Sequence, residues 1–87
     1  MTSEERQNSI DLLNKTHDWP VVFSFKFIIP KEQEFPFKTL FQNETINIKP
    51  SKKGTYMSCS FKKKVFSALE VLDIYDKASH IPKIISL

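Results

Sequence analysis

From residue 21 to 29 apolar side chains recur at every second position. Val21, Phe23, Phe25, Phe27 and Ile29 share one face, and Val22, Ser24, Lys26 and Ile28 share the other. Such alternation predicts a strand, and apolar residues on both faces predict a central one, ended by Pro30. Phe37, Leu40 and Phe41 then stand at i, i+3 and i+4, one side of a helix. The spacing predicts a short helix over 36–43, with Pro36 in the first helical position, where its missing N–H is harmless. Residues 45–50 alternate Ile46 and Ile48 with Asn47 and Lys49, a short strand that Pro50 confines to a sheet edge. Ser51, Lys52, Lys53 and Gly54 form a turn, with Gly54 supplying the permissive backbone. Residues 55–63 predict the next strand, with Met57, Cys59 and Phe61 on one face and Tyr56, Ser58, Ser60 and Lys62 on the other.

Ser67, followed three residues later by Glu70, has the spacing of a capping box. Leu69, Val71, Leu72 and Tyr75 carry helical periodicity on to about Ala78, and Pro82 breaks it. Residues 84–87 predict a short terminal strand. Upstream, residues 1–18 are a polar extension with an apolar cluster at Ile10, Leu12 and Leu13. Ser3, with Glu4 and Glu5 behind it, can open a short helix there, since acids favour a helix N-terminus. Pro20 bars helix at Trp19. The expected division is an extension over 1–18 and a single domain over 19–87.

The order after the extension is β-α-β-β-α-β, the split β-α-β of ferredoxin-like α+β proteins. It implies one four-stranded antiparallel sheet with two helices on one face. Right-handed crossovers place the first and third strands in its centre. Size agrees: 87 residues and 10.2 kDa make one small domain. Such a chain should expose roughly 5,300 Å² when folded and bury about 64% of its extended surface. Eight Phe among eleven aromatics supply a core.

Composition removes most familiar chemistries. One Cys allows neither a disulfide framework nor a cluster of paired cysteines around zinc, and one Gly allows neither a dinucleotide fingerprint nor a phosphate loop. No metal or cofactor is expected. His17 and His80 are far apart and read as loop histidines; Cys59, within an alternating strand, reads as a small buried hydrophobe rather than a reactive thiol. Glu70, Asp73 and Asp76 form an acidic stripe along one helix, a solvated face or a dock for a basic partner. No apolar run exceeds three residues and the N-terminal start is polar, so a cytoplasmic protein without a membrane segment is expected.

Charge alters the picture most. The net +3 conceals a partition: residues 1–44 carry −2, residues 45–69 carry +6, and residues 70–87 carry −1. The six positive charges are Lys49, Lys52, Lys53, Lys62, Lys63 and Lys64, all on or just after the predicted hairpin. Such a patch concentrates anions, although lysines on a strand edge also discourage aggregation.

The run Lys49-Pro50-Ser51-Lys52-Lys53-Gly54-Thr55-Tyr56-Met57-Ser58-Cys59-Ser60 resembles the hairpin of the YbeD-like family of small bacterial proteins. Trp19-Pro20, the Phe25-Lys26-Phe27 strand core, Leu72 with Tyr75, and a terminal strand reaching Leu87 are similar too, so the resemblance spans residues 19–87. Here the segment between the first two strands is shorter and lacks a Gly common in the family. The resemblance implies a ferredoxin-like fold similar to ACT regulatory domains and brings no agreed activity with it. With the localised +6 and no catalytic constellation in the sequence, a non-enzymatic regulatory or binding module is expected. Its surface would comprise Lys49, Ser51, Lys52, Lys53, Gly54, Tyr56, Ser58, Ser60, Lys62 and Lys64. The expected partners are an anionic small molecule, or a protein or second copy of the chain against the open sheet face. RNA bound through the lysines is the alternative.

Overall fold

The structure, a computed structural model, describes residues 2–87. Helix α1 (Ser3–Thr16) is followed by strand β1 (Val21–Pro30), a 3-10 turn (Lys31–Gln33) and helix α2 (Glu34–Leu40). Strand β2 (Asn47–Pro50), strand β3 (Tyr56–Val65), helix α3 (Ala68–Ala78) and strand β4 (Ile85–Ser86) complete the order. The described residues thus form an α+β protein with one four-stranded antiparallel sheet and three helices. The strand order is β2-β3-β1-β4, with β1 and β3 in the centre as the double-faced pattern of β1 requires.

The alternation sets the layers. In register, Phe25 faces Phe61, Phe27 faces Cys59 and Ile29 faces Met57, and all six are buried. On this face Phe27 meets Phe37 of α2 at 5.7 Å and Tyr75 of α3 at 5.8 Å between ring centroids. The core is therefore an aromatic layer between the odd-numbered strand positions and two helices. Offset and edge-on ring pairs of this kind add to the stabilisation from burial alone. Helix α3 turns Ala68, Val71, Leu72, Ile74 and Ala78 inward. Leu69, expected on that face, is instead exposed.

Several boundaries move for identifiable reasons. α1 is a helix of 14 residues, longer than a short opening turn. Its N-cap is Thr2, not Ser3: the Thr2 hydroxyl accepts from the Glu5 amide while the Glu5 carboxylate accepts from the Thr2 amide. That reciprocal box satisfies two donors left over at any helix start. α2 begins two residues before Pro36. The proline sits third in the helix, still within the first turn, where amides have no intrahelical acceptor. At α3 the Ser67 hydroxyl accepts from the Glu70 amide as expected, but the Glu70 carboxylate reaches past Ser67 to the Phe66 amide at 2.7 Å. β4 is shorter than 84–87, and the Leu87 amide continues its pairing by donating to the Lys26 carbonyl.

α1 lies outside the aromatic layer. None of its residues is fully buried, although Leu13 packs against the core. The accessible surface, 6123 Å², accordingly exceeds the roughly 5,300 Å² expected for a compact chain of this mass. Its first half is held to α3 by Arg6, whose guanidinium spans Asp76 at 2.7 Å and Asp73 at 3.3 Å. Two members of the acidic stripe on α3 are thus paired from within the chain while staying open to solvent, and the third, Glu70, serves the Phe66 amide.

Candidate functional site

Because strand side chains alternate, the face opposite the core is fixed by the same register. It carries Val22, Ser24, Lys26 and Ile28 from β1, and Tyr56, Ser58, Ser60, Lys62 and Lys64 from β3. Asn47 and Lys49 of β2 and Ile85 of β4 complete it. No helix of the described residues packs on it. None of the ten acidic residues lies in a strand or in the turn between β2 and β3; all belong to the helices and the segments joining them. The two layers of the molecule therefore carry opposite charge.

The register redistributes the expected lysine patch. Lys49, Lys62 and Lys64 lie on the open face, and Lys52 and Lys53 in the turn at its end. Lys63 does not join them. Its odd position turns it toward the helical side, where its ammonium meets the Glu44 carboxylate at 2.7 Å. Lys26 takes its place, brought by β1 opposite Ser60, while Lys62 stands opposite Ser24. The two lysines are diagonal neighbours, with backbones about 7–8 Å apart in such a pairing. Among the described residues neither has a carboxylate within ion-pair distance. At that spacing two unit charges repel by about 0.5 kcal/mol in water, and by more where water is excluded.

The remaining expected residues divide by role. Gly54 adopts φ 70°, the left-handed region that glycine enters without strain, and its amide donates to the Ser51 carbonyl to close the turn. The Ser51 hydroxyl is used in the same turn, accepting from the Tyr56 amide. Ser51 and Gly54 thus shape the hairpin. Ser58 and Ser60 are small, half-buried residues that keep the open face low beside the lysines. Tyr56 projects from the strand end, opposite Pro30.

A groove of about 510 Å³ crosses this face, lined by Ser24, Lys26, Thr45, Asn47, Ser60 and Lys62. Phe25 and Phe61 lie beneath it, with their rings in the core. Sequence reasoning missed Lys26, Ser24, Thr45 and Asn47. The alternation showed Lys26 and Ser24 on an open face, but only the pairing of β1 with β3 shows which residues they join.

The other titratable groups stand apart. Cys59 is fully buried, and burial, reinforced by the charge of Glu34 against a smaller opposing effect of Lys38, pushes its thiol up to about 11. It is not a reactive thiol. Burial also raises the Tyr75 hydroxyl. His17 stacks on Trp19 at 5.6 Å and leans on Phe23 at 5.5 Å, closing the junction between α1 and β1. His80 lies after α3, its Nδ1 near the Lys77 carbonyl. No helix of the described residues is long and apolar enough to cross a membrane.

An open antiparallel sheet backed by helices, with all its lysines but Lys63 on the bare face, defines the class of protein. Within that class, residues 14–87 match the family described as Protein of unknown function (DUF493), and the chain belongs to it. The YbeD-like proteins belong to the same family. The match takes in the aromatic core, the hairpin and the open face, but only the last turn of α1. No curated protein and no solved structure matches the chain.

Proposed function

We propose that this chain is a non-enzymatic binding module of ferredoxin-like, ACT-like build that engages an anionic partner on the open face of its sheet. The segregation of charge carries the reading. Four lysines project from one face, two more extend it through the turn, and no acidic side chain interrupts them. A field of one sign over a flat face raises the local concentration of anions and speeds their encounter.

Charge also selects among partners. Two copies stacked sheet to sheet would set the Lys26, Lys49, Lys62 and Lys64 field of one against the same field of the other, an arrangement that repulsion opposes. RNA is the weaker alternative. RNA-binding sheets stack bases on two or three aromatics, whereas the strands place only Tyr56 on this face, at one margin, and Phe66, just past β3 at the other, is taken up by Lys64. The single arginine, the residue best suited to reading base edges, is Arg6, engaged with α3 on the other layer.

Amide chemical shifts of the full chain, followed on adding heparin at low ionic strength, test the proposal. The expected response falls on the even positions of β1 and β3, on β2 and on the turn, and fades as salt is added. A response confined to α3, or none at all, would overturn it.

A further inference from the structure

We infer that the groove bounded by Ser24, Lys26, Thr45, Asn47, Ser60 and Lys62 is a binding site for a phosphate dianion. The inference rests on the anion-binding reading of the open face and deepens it by naming the place and the ligand chemistry. Lys26 and Lys62 sit diagonally across β1 and β3, with Ser60 and Ser24 as their opposite partners, so two charges and two hydroxyls alternate around one square. Asn47 adds a side-chain amide from the far side of Ser60, and Thr45 a further hydroxyl.

Three observations converge on this ligand. The first is that these donors are free. Among the described residues, none of the six side chains makes a hydrogen bond or ion pair within the chain. Ser51 in the turn, by contrast, already serves its own backbone. The second is stoichiometry. Two ammonium groups beside neutral donors match an anion with two charges and three terminal oxygens. A carboxylate, with one charge and two oxygens, leaves one lysine uncompensated. Ammonium-to-phosphate hydrogen bonds are charge-assisted and short, so one anion bridging the pair turns mutual repulsion into attraction. The third is size: about 510 Å³ falls within the range of small-molecule sites, roughly 300–1,000 Å³. The dianion can be a phosphomonoester or free phosphate; the chemistry at the lysines is the same.

The test is an amide-shift titration of the full chain with glycerol 3-phosphate and, separately, inorganic phosphate at a pH where both are largely dianionic, with glycerol as the uncharged control. Saturable shifts are expected at Ser24, Lys26, Asn47, Ser60 and Lys62. Lys26→Gln and Lys62→Gln should each weaken binding by about tenfold, as loss of a charged hydrogen bond requires. The double variant Lys52→Gln/Lys53→Gln, outside the groove, should weaken it by no more than about twofold, since exposed charges at that distance are largely screened. Tighter binding of glycerol 3-phosphate marks an ester as the ligand, and tighter binding of phosphate marks the free ion; either supports the site. Shifts centred on residues 51–54, or equal weakening by all these variants, overturn the groove. So does a face that answers heparin but neither phosphate, and in that case the general anion-binding reading survives. Silence toward heparin as well removes both.

Discussion

Lys26 sits in the middle of the central strand, on the bare face, with Ser60 opposite and Lys62 diagonal to it. If its charge is there for a ligand, it should lower the stability of the empty protein. Lys26→Thr isolates that effect. The diagonal repulsion it relieves is about 0.5 kcal/mol at the dielectric of water; the lower end is appropriate because both stems are flexible and exposed. Threonine is also preferred over lysine in strands, on a scale spanning about 1 kcal/mol, and a Thr–Ser cross-strand pair is favourable. Against this stands some loss of apolar cover from the lysine stem. The net expectation is a gain of about 1 kcal/mol, or about 4–8 °C in Tm for a domain of this size. Thermal unfolding followed by circular dichroism at low ionic strength measures it. Added salt should shrink the gain without abolishing it, because only the charge component is screened. The same variant should lose groove binding. A Tm that falls, or stays put at low salt, would show that Lys26 supports the fold, and the reasoning that assigns it to a ligand would fail.

Other parts of the structure give sharper expectations for the fold. Arg6→Ala should cost no more than about 1 kcal/mol, since Asp73 and Asp76 are more than half exposed. Amide exchange in the first half of α1 should nevertheless rise toward that of an isolated helix, while β1 and β3 stay protected; uniform loss of protection would refute the local docking. Phe27→Ala, which removes a fully buried ring from contact with Phe37, Phe41, Phe61 and Tyr75, should cost about 3–5 kcal/mol by urea unfolding. Loss of less than about 1 kcal/mol would mean the aromatic layer is not the core. Cys59 supplies a pH dependence. Its thiol is held at about 11 against an ordinary 9.0, so the folded state keeps a proton that the unfolded state releases first. The stabilisation is complete below pH 9 and is lost as pH rises toward about 11, amounting to at most about 3 kcal/mol. Cys59→Ala should flatten that part of the profile, and the native thiol should resist thiol reagents at pH 8; rapid labelling of the folded protein would contradict both.

Much of this architecture is written in the alternation. Phe23, Phe25 and Phe27 against Ser24 and Lys26, and Met57, Cys59 and Phe61 against Ser58 and Ser60, are long enough patterns to fix faces as well as strands. A one-residue slip would expose the whole aromatic set. Lys63 follows the same rule: its parity with Phe61 and Val65 places it on the helical side, so its exclusion from the patch was available in the sequence. Thr2 and Glu5 likewise have capping-box spacing, one residue ahead of Ser3. Other features depend on pairings between distant residues. Nothing local tells Arg6 that Asp73 and Asp76 will lie beside it, or Lys26 that Lys62 will be its diagonal neighbour. The groove lies in that second class, assembled from three strands.

Core and recognition surface are thus two sides of the same two strands, and this constrains how the protein can vary. Odd positions of β1 and β3 face the aromatic layer, where even one methylene is felt because interiors are close-packed. Even positions other than Pro30 contact solvent, and substitutions there alter charge and contour with little effect on packing. Lysines at Lys26, Lys49, Lys62 and Lys64 with small serines between them are not what stability alone would select for adjacent strands, where β-branched residues fit better. Edge protection accounts for part of this: β2 pairs only residues 57–60 of β3, so Lys62 and Lys64 stand where that strand has a bare edge. Lys26 does not, because β3 pairs it on one side and its carbonyl accepts from the Leu87 amide on the other. A charge in that position that neither seals an edge nor balances an acid needs another explanation, and an anion bound across β1 and β3 provides it.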